Sequence, residues 1–358
     1  MRDIPSAKNL ALPAFIVVSI FISQWMRSVE SIPTWSYGGQ IMGTSFSVKA
    51  VHPTEVKLEL ISEALEAVNE RMSTYLPNSE LSAINKYRGE SAMAISPELR
   101  TVLNAAKTVT ADSKGHFDVT VGPIVNAWGF GPNKERLTPS AAQLIELKEL
   151  VGDQKWSLDS RGITKVKPQV YIDLSAIAKG YAVDRVAAAL DQAHVAHYWV
   201  EVGGEVRVKG RNGEGKLWRV GIERPAVEGN RRVAKIIRLK EMSVATSGDY
   251  RNRYEDANGV IRSHTINPKT GEPVKHLLAS VSVLHSECML ADAWATALNV
   301  MGSERGLALA DQLKLAALFI VREGVSEEMG ELDGPETTYK IIESAALSDY
   351  LKKTSQAD

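Results

Sequence analysis

The chain has one cysteine, Cys288, in 358 residues. That single thiol excludes an internal disulfide and any zinc or iron–sulfur site built from several cysteines, so a metal here must be held largely by oxygen or histidine. An excess of charge of either sign is also missing: 42 Lys and Arg against 43 Asp and Glu leave a formal charge of −1. The global electrostatic case for a nucleic-acid partner or an acidic membrane surface falls away, and any basic site must be local. Aromatics make up only 6% of the chain, and neither Gly, at 26, nor Pro, at 14, is in excess, which excludes collagen-like, low-complexity and wholly disordered readings. Internal repeats and long charge blocks are absent. What is present is a 44% hydrophobic composition, enough for a sizeable core in one large domain or two of ordinary size.

Residues 9–26 carry no charge and follow Arg2 and Lys8. This is the layout of an export signal or an N-terminal membrane anchor within residues 1–30. The densest part, 10–22, is shorter than the roughly 20 residues of a membrane span, whereas the whole uncharged stretch approaches that length. Cleavage and retention as an anchor both fit, and either places the rest of the chain outside the cytoplasm. A buried core helix is the competing reading of the run, set against its terminal position and preceding positive charge.

Apolar residues recur at spacings of three and four over 55–72, 97–113, 175–190, 287–301 and 304–313, which predicts helices there. Runs at 43–48, 170–173, 198–208, 218–223, 279–284 and 316–321 predict strands. Several strands follow one another, with turns such as Arg211-Asn212-Gly213 and Ala257-Asn258-Gly259, so hairpins and largely antiparallel sheets are expected. The fold class is therefore α+β, as two intimately packed lobes with flanking helices and a soft division near 150–170.

Three apparent motifs do not carry chemistry. Residues 210–217 nearly spell a phosphate-binding loop, but Leu217 stands where a hydroxyl is needed for Mg²⁺ and residues 218–222 alternate like a strand. The segment reads as a hairpin loop. Cys288 near His285 resembles a thiol nucleophile, yet a lone cysteine at the head of an Ala-rich helix reads as a packed small residue. His285, Glu287 and Asp292 have ligand chemistry, but side chains leaving a strand end and a helix start diverge, against a three-ligand zinc site.

Three other segments do carry it. Residues 171–181 read as strand, turn and helix, with Ser175 as N-cap and Asp173 at the strand end. The helix start offers amide N–H groups and the positive dipole end to a phosphate, and Lys179 one turn in adds a full charge. A capped helix with a solvated lysine is the alternative. On the helix at 287–301, Asp292 and Thr296 share a face, so their oxygens can hold one hard cation such as Mg²⁺; complementing the helix dipole is the other reading of Asp292. Residues 264–271 run from a short strand end into a Pro- and Gly-bounded turn, and His264 has the ordinary pKa of a base working near neutrality.

Taken in order, Met42-Gly43-Thr44, Arg71 to Tyr75, Ser79 to Ser82, Gly115 to Pro123 with Trp128-Gly129-Phe130, Asp173 to Tyr181, Gly203-Gly204, Ser247-Gly248, His264 to Gly271 and Asp292 to Thr296 resemble the pattern of the ApbE family, the FAD:protein FMN transferases. The resemblance runs from about 42 to about 302, within a domain expected over 38–350. It implies FAD as substrate in a cleft between the lobes, Mg²⁺ on the pyrophosphate, and a periplasmic location at the inner membrane. It also implies that Met42, Tyr75, His116, Phe117, Asp118, Asp173, Lys179 and Ile266 touch FAD, and that the Ala176 carbonyl, Asp292 and Thr296 bind Mg²⁺. Tyr75 would stack on or border a ring of the ligand, with core packing as the alternative. The reaction so implied moves FMN to a threonine hydroxyl of a partner protein and releases AMP, with His264 as candidate base. The partner would carry a Ser/Thr-rich flavinylation motif, as in subunits of membrane electron-transfer complexes. A hydrolase giving FMN and AMP, and a non-catalytic flavin carrier, are the competing functions. This chain lacks the lipid-anchor cysteine of many family members.

Overall fold

The computed structural model describes residues 32–132, 138–225, 232–249, 253–256, 260–324 and 337–355. The apolar run at 9–26 and the turn at 257–259 lie outside them. Eight strands organise the rest: β1 (Thr34–Ile41), β2 (Thr44–Val51), β3 (His197–Val202), β4 (Glu205–Lys209), β5 (Ser243–Gly248), β6 (Leu278–His285), β7 (Ala316–Glu323) and β8 (Thr338–Glu343). They lie side by side in chain order, and every neighbouring pair is antiparallel. Antiparallel neighbours need no crossover helix. Helices therefore enter as insertions between strands, and the α+β expectation with antiparallel pairing holds.

Between β2 and β3 come α1 (Leu58–Met72), α2 (Glu80–Lys86), α3 (Pro97–Asp112), α4 (Gly122–Ala127), α5 (Ala141–Lys148) and α6 (Ala178–Gln192). Between β6 and β7 come α7 (Cys288–Met301) and α8 (Ser303–Leu313), and α9 (Ala345–Ser355) closes the described chain. Among the described residues no helix is long and apolar enough to cross a membrane. Alternation along the strands divides the interior. Tyr198, Val200 and Val202 of β3 and Ala317 and Phe319 of β7 join the main core with α1, α3, α6 and α7. Leu318 and Ile320, their alternates, join a second cluster with Trp218, Ile237 and Leu347, supplied by the hairpin Trp218–Arg224/Arg232–Leu239 and by α9. Covered on both faces, β6 is buried from Leu278 to Leu284, as expected of a central strand.

Two sequence expectations change. Residues 198–208 are two strands, turned at Gly203 and Gly204, whose φ values of 64° and 104° suit a two-residue hairpin that glycine alone enters freely. Residues 170–173 are not a strand. The backbone of Ile172 is satisfied by a side chain: Asn85 donates from Nδ2 to the Ile172 carbonyl at 2.9 Å and accepts the Ile172 N–H at 2.8 Å. The Asp173 N–H donates to the Val119 carbonyl at 2.7 Å. A strand-like composition is thus held extended by a buried amide and a neighbouring loop, with no ladder required. The lookalike phosphate loop is a closed turn, bridged between Arg211 and Leu217.

Candidate active site

A cleft of about 350 Å³ opens where the ends of β3, β4 and β5 meet the first turn of α6, one face of α7, residues 116–125 and the turn at 264–268. Eleven of the twelve candidate residues line it: Tyr75, His116, Phe117, Asp118, Asp173, Ala176, Lys179, His264, Ile266, Asp292 and Thr296. Met42 does not. It occupies the β1–β2 turn with φ 52° and packs partly buried against the main core.

The wall at 116–118 is built by the end of α3. Lys114 and Gly115 turn the chain with φ of 54° and 77°, and the Phe117 N–H donates to Ser113 Oγ at 3.1 Å. His116 Nδ1 lies 2.7 Å from the Ser113 carbonyl. A carbonyl only accepts, so Nδ1 carries the proton and Nε2 keeps its lone pair. Burial lowers the pKa of His116, the Ser113 bond opposes this, and the charges of Lys269 and Arg305 lower it further. The neutral ring is the favoured form. Asp118 Oδ1 accepts from the Thr120 N–H at 2.8 Å and from Thr120 Oγ1 at 2.6 Å; burial still holds its pKa above the usual carboxylate range. Burial does the same to Asp173, against the Ser175 N–H that donates to its Oδ1 at 2.9 Å.

The expected N-cap is corrected. Ser175 lies in a turn and the helix begins at Ala178, with Ile177 at the cap position and no side-chain cap. The physical reason is that the Ile177 and Ala178 amides, which a Ser175 cap would accept, both fold back to the Leu174 carbonyl, at 3.0 and 2.8 Å. The helix start is therefore not an open row of donors. Its Gly180 N–H donates at 3.0 Å to Asp292 Oδ2.

The approach of α6 to α7 depends on Gly180. A Cβ there would stand 2.3 Å from the Cys288 carbonyl oxygen and 2.8 Å from Met289 Cα. The two helices also exchange carboxylates. Asp184 of α6 accepts the first amides of α7, Cys288 N–H at 3.0 Å and Met289 N–H at 2.9 Å, while Asp292 of α7 accepts Gly180. In a helix continued by another turn the Gly180 N–H would go to the Ala176 carbonyl. Turned to Asp292, it leaves that carbonyl available in the cleft beside Asp292 and Thr296. One carboxylate, one hydroxyl and one carbonyl form a hard-oxygen set with a single formal charge. Mg²⁺ completed by phosphate oxygens and water fits it. Among the described residues no group of three His, Cys, Asp or Glu side chains is placed to hold a metal. Cys288 is fully buried, and burial pushes its thiol well up, the state of a packed residue.

Lys179 is not a solvated lysine. Its Nζ lies 3.1 Å from Glu205 Oε1 and 3.7 Å from Asp292 Oδ1. Burial disfavours its charge, but the carboxylates of Asp292 and Glu205 outweigh burial and raise the pKa. Glu205 itself is pushed up by burial and pulled back by Lys179. Sequence reasoning missed Glu205. The available signal was a charged residue opening a strand directly after Gly203-Gly204, but nothing local ranks it above Glu201, four residues earlier in β3.

His264 stands just before the pair Ile266–Asn267/Glu272–Pro273, with its ring edge-on to Phe130 at 6.3 Å and 68°. The turn beneath it is tied by Gly271 N–H to the Asn267 carbonyl at 2.8 Å and by Trp128 Nε1 to the Gly271 carbonyl at 2.9 Å. Ile124, Trp128 and Ile266 make a small separate core there. Tyr75 is 60% exposed at the mouth. Exposure of that degree excludes core packing as its role.

Residues 42–319 match the ApbE family. A FAD:protein FMN transferase of Haemophilus influenzae is 43% identical over 299 residues, covering 80% of this chain and 86% of that protein. One of Vibrio cholerae is 40% identical over 290 residues, covering 79% and 86%. The solved flavin transferase ApbE from Vibrio cholerae aligns with a TM-score of 0.78 at 36% identity, covering 89% of this chain and 99% of that one. The apo form of the Pseudomonas stutzeri flavinyl transferase ApbE gives 0.79 at 35%, covering 89% and 97%. The chain belongs to the ApbE family.

Proposed function

We propose that this protein is a Mg²⁺-dependent FAD:protein FMN transferase, which moves FMN from FAD to a threonine hydroxyl of a partner protein and releases AMP. The observation that carries this reading is the convergence of three hard-oxygen donors, Asp292, Thr296 and the Ala176 carbonyl, with Asp173, the 116–118 wall and His264 on one cleft. The Asp292 carboxylate would hold Mg²⁺ with Thr296 and Ala176. When bound, the cation supplies Lewis-acid neutralisation of pyrophosphate charge and of the departing AMP. The 116–118 wall and Ile266 border the flavin nucleotide, and Tyr75 at the mouth offers a ring face for stacking.

The acceptor threonine attacks the phosphorus on the FMN side of the pyrophosphate. A new P–O bond forms to the threonine oxygen, the P–O bond to AMP breaks, and the threonine proton passes to His264. A threonine hydroxyl is far less acidic than imidazolium, so the proton moves only as attack proceeds. General-base help of this kind is worth about 10²- to 10⁴-fold in rate. The partner is a protein with a Ser/Thr-rich flavinylation motif, of the kind carried by membrane electron-transfer subunits, and the enzyme works on the periplasmic side of the inner membrane. The uncharged run at 9–26 supports the location, and the family resemblance supports the acceptor.

The test is incubation with FAD, Mg²⁺ and a threonine-bearing acceptor polypeptide. Flavin fluorescence on the acceptor band after denaturing electrophoresis, with AMP released in equal amount, is the expected result. AMP with free FMN and an unlabelled acceptor would make the protein a hydrolase. Bound FAD without AMP would make it a carrier.

A further inference from the structure

Three charges meet in the cleft, and the cation reading accounts directly for only one. The Lys179 ammonium stands between two carboxylates, hydrogen-bonded to Glu205 Oε1 at 3.1 Å but 3.7 Å from Asp292 Oδ1. The Asp292 and Glu205 side chains are 6% and 4% exposed, against 28% for Lys179. Asp292 Oδ2 already accepts the Gly180 N–H, so Oδ1 is the oxygen left for a cation. A lysine on a flexible four-carbon stem so close to a buried carboxylate is drawn to close on it and cancel its charge. Here the ammonium still pairs with Asp292 at 3.7 Å, but its hydrogen bond goes to Glu205.

Glu205 is fixed for that purpose. It opens β4 immediately after the Gly203-Gly204 turn, and Gly203 admits the lysine stem: a Cβ at Gly203 would come within 3.1 Å of Lys179 Cδ. Among the described residues, the second carboxylate oxygen, Glu205 Oε2, is buried without a hydrogen-bond partner. In an ion pair that served only the fold, that oxygen would be an uncompensated cost.

We propose that Glu205 is a positioning residue that holds the Lys179 ammonium off Asp292 Oδ1, so that this oxygen, and one net negative charge over the three groups, remain for Mg²⁺. The inference rests on reading Asp292, Thr296 and the Ala176 carbonyl as a cation site. Glutamine at 205 keeps the shape but leaves Lys179 with Asp292 as its one carboxylate of the three, and the trio becomes neutral. Glu205→Gln therefore weakens divalent-cation binding, and removing the ammonium as well restores it.

The experiment is Mn²⁺ titration of the full protein at FAD concentrations that saturate each variant, with free Mn²⁺ read by electron paramagnetic resonance. The wild type saturates, and Glu205→Gln, with the same thermal midpoint, binds roughly 10-fold or more weakly. The double variant Lys179→Met/Glu205→Gln recovers affinity towards the wild type, an outcome that a merely structural role for Glu205 does not produce. Lys179→Met alone binds Mn²⁺ at least as tightly as the wild type, and serves if Glu205→Gln fails to fold. Unchanged affinity in Glu205→Gln, no recovery in the double variant, or weaker binding in Lys179→Met each overturns the role of Glu205 while leaving the cation site standing. A wild type that binds no Mn²⁺ removes the cation site and this inference together.

Discussion

Gly180→Ala sets two physical effects against each other, and the structure says which wins. Gly180 is the third residue of α6, where propensity alone makes alanine more stable by at most about 0.5–1 kcal/mol. The added methyl carbon, however, would sit 2.3 Å from the Cys288 carbonyl oxygen, 2.7 Å from its carbon and 2.8 Å from Met289 Cα. All three are backbone atoms, so no side chain can swing aside and α7 must move. Overpacking of this kind costs about 1–3 kcal/mol. Moving α7 also stretches the 3.0 Å bond from Gly180 N–H to Asp292, and a buried hydrogen bond to a charged group is worth about 1.5–3 kcal/mol. The net expectation is a loss of about 2–5 kcal/mol after the propensity gain is subtracted. Urea unfolding measures it, and Mn²⁺ affinity should fall in parallel because Asp292 loses its anchor. A variant as stable as the wild type, or more stable, would refute the account of how these helices meet.

Asp184→Ala removes the carboxylate that accepts both leading amides of α7 and pairs with Arg207; a loss of about 2 kcal/mol is expected from urea unfolding, and a loss below about 0.5 would contradict the cap. His264→Gln should keep FAD affinity while turnover drops about 10²- to 10⁴-fold; unchanged turnover excludes it as the base. Lys165 donates to the carbonyls of Ile84 and Pro168, both at 2.9 Å. Burial, then the Arg88 charge, pushes it down to about 8 from 10.5. Between those two values the unfolded chain binds more protons than the folded one, so this group makes stability rise with pH across the window. Unfolding of the wild type and of Lys165→Met at about pH 7.5 and about pH 10 should show that rise only in the wild type; parallel behaviour would refute it.

The helical periods at 97–113 and 287–301 became Pro97–Asp112 and Cys288–Met301 because their signals are local: a Ser96-Pro97 start and an apolar face of period 3.6. Strands 279–284 and 316–321 were legible for the same reason, as short runs rich in apolar and β-branched residues that stop at His285 and at Arg322. Residues 170–173 misled because their partner is one amide, Asn85, far away in sequence. Ser175 failed as a cap because the Ile177 and Ala178 amides its hydroxyl would accept go to the Leu174 carbonyl instead, a local fold-back invisible to a cap preference. Most candidate site residues reached one cleft because the quoted segments each carry a turn or helix start that projects chemistry. Glu205 was not legible because its meaning lies in Lys179 and Asp292, which come from two other elements.

The central claim is that one divalent cation lies against Asp292 and Thr296 beside the FAD pyrophosphate. Anomalous diffraction from crystals grown with FAD and Mn²⁺ tests it directly. The account predicts a single strong peak in ligand contact with Asp292 Oδ1, Thr296 Oγ1, the Ala176 carbonyl oxygen and a phosphate oxygen. Ordered FAD in the cleft with no peak at those atoms, or with Lys179 seated on Asp292 in its place, would contradict it.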